Sequence, residues 1–174
     1  KNLTNTTHSR SGGDASPGDA LADYGLAANL LECVPTYQHR VASFNAASVW
    51  MLEQLAGLLM ERDHAGDQQA AAVYIAEAQK LATGVLSLYN PGEGFFSALY
   101  PNGTKIGVRH VIDFVYVSEF LNQHLTPKIR AEMSRFVHDE LLTDTWMRAL
   151  SPKDSAASAS DRTDHGPYGA YCGW

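Results

Sequence analysis

Two kinds of helical hydrophobic pattern follow one another along this sequence, and their order constrains the fold more than any other feature. Residues 44–62 follow Ser43, a candidate N-cap, and carry apolar side chains on two stripes at helical spacing. A helix that is apolar around most of its circumference would be buried on several sides. Residues 67–89 predict a second helix with a single apolar stripe, so its opposite face would be exposed to water.

The same pair of patterns recurs in the second half of the chain. Residues 110–124 are apolar nearly all round and predict a buried helix, although their β-branched side chains would also suit a strand. Pro127 is suited to the first position of a last helix with one apolar face. On that helix the predicted inward side chains are Ile129, Met133, Phe136 and Val137, and the predicted outward ones are Lys128, Arg130, Glu132 and Arg135.

A β-hairpin is predicted between the two pairs of helices, over residues 94–108. Its arms would be residues 95–100 and 105–108. The turn between them contains Asn102-Gly103, a pair that favours tight turns because both residues tolerate positive φ.

The alternation of buried and half-exposed helices predicts an all-α fold that forms part of an (α/α)6 toroid, in which inner and outer helices alternate and a short β-hairpin is inserted. Inner helices would be surrounded by protein, whereas outer helices would bury one face. A complete toroid of 12 helices would need roughly 250–400 residues, so we expect the domain to continue beyond both ends of this chain. We assign residues 1–22 to a polar linker or loop and residues 23–174 to the partial toroid domain.

Composition excludes several classes of function. The formal net charge is −6 and no cluster of Lys and Arg exceeds a pair, so a nucleic acid is not an expected partner. No apolar run reaches the roughly 20 residues that a membrane-spanning helix needs. The histidines lack His-Glu-x-x-His spacing and no phosphate-binding loop occurs, so we expect neither a metal nor a cofactor. For Tyr37 and His39, a packed or hydrogen-bonded structural role is favoured over contact with a ligand.

Three sequence triplets match the acceptor pattern for N-linked glycosylation, at Asn2, Asn5 and Asn102. They favour a secreted protein or one of the secretory pathway. In such an oxidising compartment Cys33 and Cys172 could form a disulfide that closes a long loop. Two buried free thiols are the alternative.

The last residues, 161–174, combine charged, flexible and aromatic side chains in one predicted loop. Aromatic faces stack on pyranose rings, and Asp, Arg and His side chains hydrogen-bond sugar hydroxyls, so the loop is a candidate sugar-binding site. Alternatively, its two Asp side chains cap a helix, pair with the Arg or hold a calcium ion. The candidate substrate-binding residues are Asp161, Arg162, Asp164, His165, Tyr168, Tyr171 and Trp174.

Parts of the chain resemble a known clan of enzymes. The stretch Val41-Ala-Ser-Phe-Asn-Ala-Ala begins the first predicted helix, and Gly94-Phe-Phe-Ser-Ala-Leu-Tyr-Pro-Asn-Gly-Thr follows the second. In residue composition and order these motifs resemble the six-hairpin toroid glycosidases, the clan that contains trehalases, processing α-glucosidases and α-L-rhamnosidases. The resemblance covers residues 23–174.

The resemblance implies a general acid, an Asp or Glu on the loop before the Asn-Ala helix. Asp23 occupies this place, with Glu32 and then Asp19 as the alternatives. The chain departs here from the trehalase pattern, which resembles Gly-Trp-Asp, because Asp23 follows Ala and precedes Tyr-Gly. The clan's second carboxylate resembles a Glu in a late hairpin, which would fall beyond the end of this chain.

These observations predict an inverting glycoside hydrolase whose partners are an oligosaccharide or glycoconjugate substrate and the remainder of its own polypeptide. Inversion requires an acid and a base carboxyl group about 6.5–9.5 Å apart. A catalytically silent, glycan-binding or structural extracellular toroid is the first alternative. A polysaccharide lyase is the second, with Tyr168 or His165 as the base and Arg162 to neutralise a uronate.

Overall fold

The computed structural model describes residues 20–26, 34–145 and 147–157. In these parts of the chain, helices and strands occur in the order predicted. The elements are α1 (Ala42–Arg62), α2 (Asp67–Leu86), β1 (Phe96–Leu99), β2 (Lys105–Val108), α3 (Val111–Phe120), a 3-10 turn (Asn122–His124), α4 (Pro127–Phe136) and a π-helical turn (Val137–Leu141). The four predicted helices and the hairpin are confirmed, with ends displaced by a few residues.

The prediction of an all-α fold is wrong. Strands β1 and β2 pair in antiparallel register, with Phe96 opposite Val108. Four isolated backbone bridges add further β-pairing. Two of them involve β1, Arg40↔Leu99 and Tyr89↔Phe96, and two lie elsewhere, His110↔Leu150 and Leu142↔Met147. The described residues therefore form a mixed α and β structure. Single bridges leave no periodic hydrophobic pattern, so they could not be read from the sequence.

The prediction of an (α/α)6 toroid is also wrong. Helix α1 packs on α2 and on α3, but it is not enclosed as an inner helix would be. Within the described residues, Trp50, Met51, Leu58 and Met60 are exposed on α1, Leu58 at 63%. The apolar pattern measures how much hydrophobic surface a helix carries. It does not determine how many neighbouring helices cover that surface or how they are arranged.

The main hydrophobic core lies between α1, α2, α3 and the hairpin. On α2 the buried apolar residues Ala71, Ala78, Leu81, Ala82 and Val85 lie on one face at helical spacing. Val49 and Leu52 of α1 and Phe96 of β1 meet them in the same cluster. Leu21, from the segment before α1, also enters this core and packs on Gly84, where a Cβ atom would lie 3.2 Å from Leu21 Cγ. The core therefore anchors the segment that carries Asp23.

Three helices obtain their N-terminal hydrogen bonds in different ways. Thr126 caps α4 by accepting from Ile129 N–H at 3.2 Å, and Pro127 follows at the first helical position, as predicted. His110 caps α3, since its Nδ1 accepts from Ile112 N–H at 3.0 Å. Burial lowers the pKa of His110 to about 4, which keeps the imidazole neutral and able to accept. Val41 precedes α1 and supplies no side-chain cap.

Glu132, predicted to point outward from α4, is buried instead. Its Oε2 accepts from Tyr89 O–H at 2.5 Å and from Gly92 N–H at 3.1 Å. The Tyr89 hydrogen bond is the main cause that lowers the pKa of Glu132. This carboxylate thus ties α4 to the turn that leads into β1. The same turn passes so close to α4 that a Cβ atom on Gly94 would lie 2.2 Å from the carbonyl oxygen of Glu132.

The segment after the π-helical turn is held by a network of charged side chains. The Arg109 guanidinium donates to Glu140 at 2.6 Å and to Glu93 at 2.7 Å, and it lies 4.3 Å from the centre of the Phe95 ring. Ser151 O–H donates to Glu140 at 2.7 Å. These contacts fasten residues 147–157 to the end of β2.

Gly94→Ala should destabilise the protein far more than Gly92→Ala. Both glycines have positive φ, +80° and +84°, so both substitutions carry a similar backbone cost of about 1–2 kcal/mol. Only at position 94 would the new methyl group overlap the backbone of α4, which adds about 1–3 kcal/mol. Urea unfolding of the two variants measures the difference. Equal losses of stability would contradict this account of the turn.

Candidate functional site

Asp23 lies in a small cluster of polar and aromatic side chains at the N-terminal end of α1. Its Oδ1 accepts from Gly25 N–H at 2.8 Å and lies 3.1 Å from His39 Nδ1. The two side chains are partly exposed, Asp23 at 18% and His39 at 16%. The Asp23 carboxylate and the His39 imidazole are thus held together and still accessible to solvent.

Asn45 fixes the segment that carries Asp23. Its Oδ1 accepts from Ala22 N–H at 2.8 Å, while its Nδ2 donates to Ala22 O at 3.2 Å and to Val41 O at 2.8 Å. A buried amide that satisfies three hydrogen bonds in this way fixes the backbone next to Asp23 against the first turn of α1. The Asn of the Asn-Ala motif is therefore a positioning residue for Asp23.

Backbone pairing and ring contacts complete the cluster around His39. Tyr24 N–H donates to His39 O, and His39 N–H donates to Gly25 O, both at 3.0 Å. His39 itself has φ +62°, a left-handed conformation that costs a non-glycine residue of the order of 1 kcal/mol. The Tyr100 ring lies 5.0 Å from the His39 ring, and Tyr100 O–H donates to Thr36 O at 3.1 Å. Contacts from two separate segments thus hold His39 in this strained left-handed conformation.

This arrangement has the chemical groups for proton transfer beside a flat aromatic surface. When His39 Nδ1–H donates to Asp23, the second ring nitrogen keeps its lone pair and can accept a proton. Asp23 Oδ2 makes no hydrogen bond within the described part of the chain. A carboxyl group and an imidazole in contact can act as a general acid or base.

Asp113, which the sequence analysis did not single out, is a buried carboxyl group hydrogen-bonded to Tyr37 and Ser43, which lie just before and within the segment between His39 and Asn45. Its Oδ1 accepts from Tyr37 O–H at 2.6 Å and from Ser43 N–H at 3.0 Å. Ser43 lies in the first turn of α1, so Asp113 of α3 supplies the cap that α1 lacks. Burial raises the pKa of Asp113 to about 7, although both hydrogen bonds favour the charged form.

A signal for Asp113 exists in the sequence, because it is the acidic residue in the first turn of a helix whose first seven residues are otherwise apolar or aromatic. A carboxylate in the first turn of a helix is already explained by its favourable interaction with the helix dipole, so the signal does not indicate a buried site. Its partner on another helix could not be identified from the sequence. Tyr37 is 1% exposed and hydrogen-bonded to Asp113 and Ser43, which confirms the predicted structural role for Tyr37.

Most of the other predicted site residues lie outside the described residues. Of the predicted sites that are described, Asp23 is part of the cluster, and Asn102 is exposed at the tip of the hairpin. The outside group consists of Asp19, Glu32, Asp161, Arg162, Asp164, His165, Tyr168, Tyr171 and Trp174, the acceptors Asn2 and Asn5, and the cysteines Cys33 and Cys172.

A separate groove of about 460 Å³ lies between α1, α2 and the 3-10 turn. Glu53 lies in it and accepts from Gln123 and His124, each at 2.7 Å, while Met60 and Ile75 contribute apolar walls. Gly57, which also lines the groove, is twelve residues from Asn45 along α1. At 1.5 Å per residue this is about 18 Å, so the groove is distinct from the Asp23 cluster.

The described residues contain neither a cluster of metal-ligating side chains nor a membrane-spanning helix. Over residues 20–26, 34–145 and 147–157, no three His, Cys, Asp or Glu side chains are grouped so that they could hold a metal ion. In the same ranges, none of the helices combines the length and apolar character needed to span a membrane.

Comparison of this chain with protein-family models, with curated proteins and with solved structures finds no match in any of the three. The candidate site therefore has to be interpreted from its own geometry.

Asn45→Ala should release the segment that carries Asp23. Loss of three hydrogen bonds to the buried amide should lower the free energy of unfolding by about 1–3 kcal/mol. The amide protons of Ala22 and Tyr24 should also exchange faster with solvent. Asn90→Ala is the matched control, since Asn90 makes comparable amide hydrogen bonds to Phe95 and Ser97 in the turn before β1. Unchanged exchange at Ala22 in Asn45→Ala would contradict the positioning role.

Asp113→Asn should change how stability depends on pH. The folded-state pKa of about 7 lies above the usual 3.8, so the folded protein binds the proton more tightly than the unfolded chain. The contribution of Asp113 to wild-type stability should therefore fall as pH rises from 4 to 7, by at most about 1.4 kcal/mol per pH unit, while the lowered pKa of His110 acts in the opposite direction in wild type and variant alike. Asn keeps the oxygen acceptor but cannot ionise, so this part of the decline should disappear.

The control for this measurement is Asp113→Ala, which also cannot ionise but leaves Tyr37 O–H and Ser43 N–H without their acceptor. We expect the same change in slope relative to the wild-type pH profile, at a lower overall stability. Chemical denaturation at several pH values provides the comparison. Parallel pH profiles for the wild-type protein and Asp113→Asn would show that the Asp113 carboxyl is not the titrating group.

Proposed function

We propose that this protein is a glycoside hydrolase that acts on an oligosaccharide or glycoconjugate by inversion, with Asp23 as its general acid. The observation that carries the proposal is the cluster at the end of α1, in which a partly exposed carboxyl group is held rigidly beside His39 and the Tyr100 ring. The resemblance of the Asn-Ala and Gly-Phe-Phe motifs to six-hairpin glycosidases also supports it. The proposal does not require the toroid, because function depends on the groups at a site and the proposed acid belongs to the described cluster.

Each part of the cluster suits a step in glycoside hydrolysis. A general acid must deliver a proton to the glycosidic oxygen as the bond to the sugar breaks. Asp23 Oδ2 is the oxygen available for this proton. His39 contacts the other carboxyl oxygen and can return a proton to the site after each turnover. The face of an aromatic ring such as Tyr100 binds the C–H surface of a pyranose.

Asn45 would contribute by fixing the direction from which the acid approaches its substrate. General-acid catalysis depends on a donor within hydrogen-bond reach of the leaving oxygen, and small displacements are costly. Double anchoring of Ala22 next to Asp23 meets this requirement. The base carboxylate that activates water is, in this proposal, supplied by another part of the polypeptide.

Asp23→Asn should abolish most of the hydrolysis. Asn can still accept from Gly25 N–H, so the local turn is kept, but it cannot donate an acidic proton. Release of reducing sugar from a panel of oligosaccharides and aryl glycosides by the intact protein should fall by about 10²–10⁴-fold, the range for loss of a general acid. The configuration of the first product, followed by NMR, should be inverted relative to the substrate.

Asp63→Asn is the matched control, because Asp63 is an exposed carboxylate at the other end of α1 and Asn tolerates its left-handed backbone. It should leave the rate unchanged. Equal rates for wild type and Asp23→Asn would reject Asp23 as the acid. Binding of glycans without any product from the wild-type protein would reject hydrolysis in favour of glycan binding alone, and an unsaturated uronate product would indicate a lyase.

A further inference from the structure

The hairpin turn presents Asn102 and its neighbours to solvent. Tyr100 N–H donates to Thr104 O and Gly103 N–H donates to Tyr100 O, both at 2.9 Å, which closes the turn between β1 and β2. Asn102, Gly103 and Thr104 are all exposed. A Cβ atom built on Gly103 would find no other atom within 4 Å, so there is open space around the tip. An Asn-x-Thr triplet is thus displayed where a large modifying enzyme could reach it.

The Asn102 side chain is held in a defined conformation within this turn. Its Oδ1 accepts from Thr104 N–H at 3.0 Å, an Asx turn that brings residues 102 and 104 together. The hydrogen bond uses the amide oxygen. The amide nitrogen, Nδ2, makes no hydrogen bond in the described part of the chain, and it is the atom to which an N-linked glycan is attached.

We propose that Asn102 is a modification site that carries an N-linked glycan, and that the chain passes through the secretory pathway. The donor would be an oligosaccharide linked to a lipid through pyrophosphate. A bond forms between C1 of the first sugar and Asn102 Nδ2, the bond between that C1 and the pyrophosphate oxygen breaks, and the amide loses one proton. No oxidant or reductant takes part. The hydroxyl of Thr104 is the second element of the acceptor pattern.

The fold can accept this glycan without rearrangement. Neither Asn102 nor Thr104 contributes to a hydrophobic cluster in the described residues. The Asx-turn hydrogen bond survives modification, because it uses Oδ1 and a backbone N–H. The inference is independent of the proposed hydrolase activity, since it depends only on the turn.

Mass spectrometry of the protein from its natural source tests the proposal directly. The peptide that contains Asn102 should carry the mass of an N-linked glycan at nearly complete occupancy, and peptide N-glycosidase in ¹⁸O-labelled water should convert Asn102 to labelled Asp well above the level of an enzyme-free digest, in which Asn-Gly deamidates by itself. Recovery of the peptide with unmodified Asn102 would overturn the proposal. This readout does not involve sugar hydrolysis, so a failure of the hydrolase proposal would leave it unaffected.

Three variants secreted from a eukaryotic host test whether the turn is the acceptor. Thr104→Ser keeps the hydroxyl and should remain glycosylated. Thr104→Ala removes the hydroxyl but keeps the Thr104 backbone donor, and Asn102→Asp keeps the oxygen acceptor but loses Nδ2, so both should lack the glycan while the hairpin stays folded. A glycan at position 102 in Thr104→Ala would overturn the assignment of this triplet.

Discussion

The arrangement of the described residues depends on how the first turn of α1 obtains its hydrogen bonds. Val41 cannot cap the helix, and Asp113 of α3 accepts from Ser43 N–H in its place. The same oxygen accepts from Tyr37 O–H, so one carboxyl group joins two helices and the segment before α1. Helix α3 in turn begins at the buried cap of His110. Burial of Asp113 is costly when it is charged, and the raised pKa expresses that cost.

The same helix end also positions the candidate site. Asn45 lies within one turn of Ser43 and binds both backbone groups of Ala22, which brings Asp23 beside His39. The hydrogen bonds that cap α1 and those that hold the candidate site are therefore neighbours on one turn of α1. In the proposed hydrolase, a carboxyl group that transfers a proton would need a rigid support and access to solvent together. Asn45 provides the first, and partial exposure of Asp23 provides the second.

Sequence patterns predicted local elements well and contacts between elements poorly. Helical spacing and the Asn-Gly turn placed four helices and a hairpin, because these features depend on residues close together in the chain. The prediction that the Glu132 side chain points outward was wrong, because its partners Tyr89 and Gly92 lie some forty residues earlier in the chain. The toroid was wrong for the same reason. A hydrophobic pattern predicts that a surface is buried and does not identify its partner.

For the candidate site, the sequence predicted Asp23 as a general acid through a resemblance, and it contained Asn45 as part of a motif. It also determined the exposed acceptor triplet at Asn102, because a turn signal and a glycosylation pattern are both local. Only the tertiary structure decided that His39 meets Asp23 and that Asp113 caps α1. These contacts join residues 16 and 70 positions apart, and their energies depend on burial and geometry that arise only when the chain has folded.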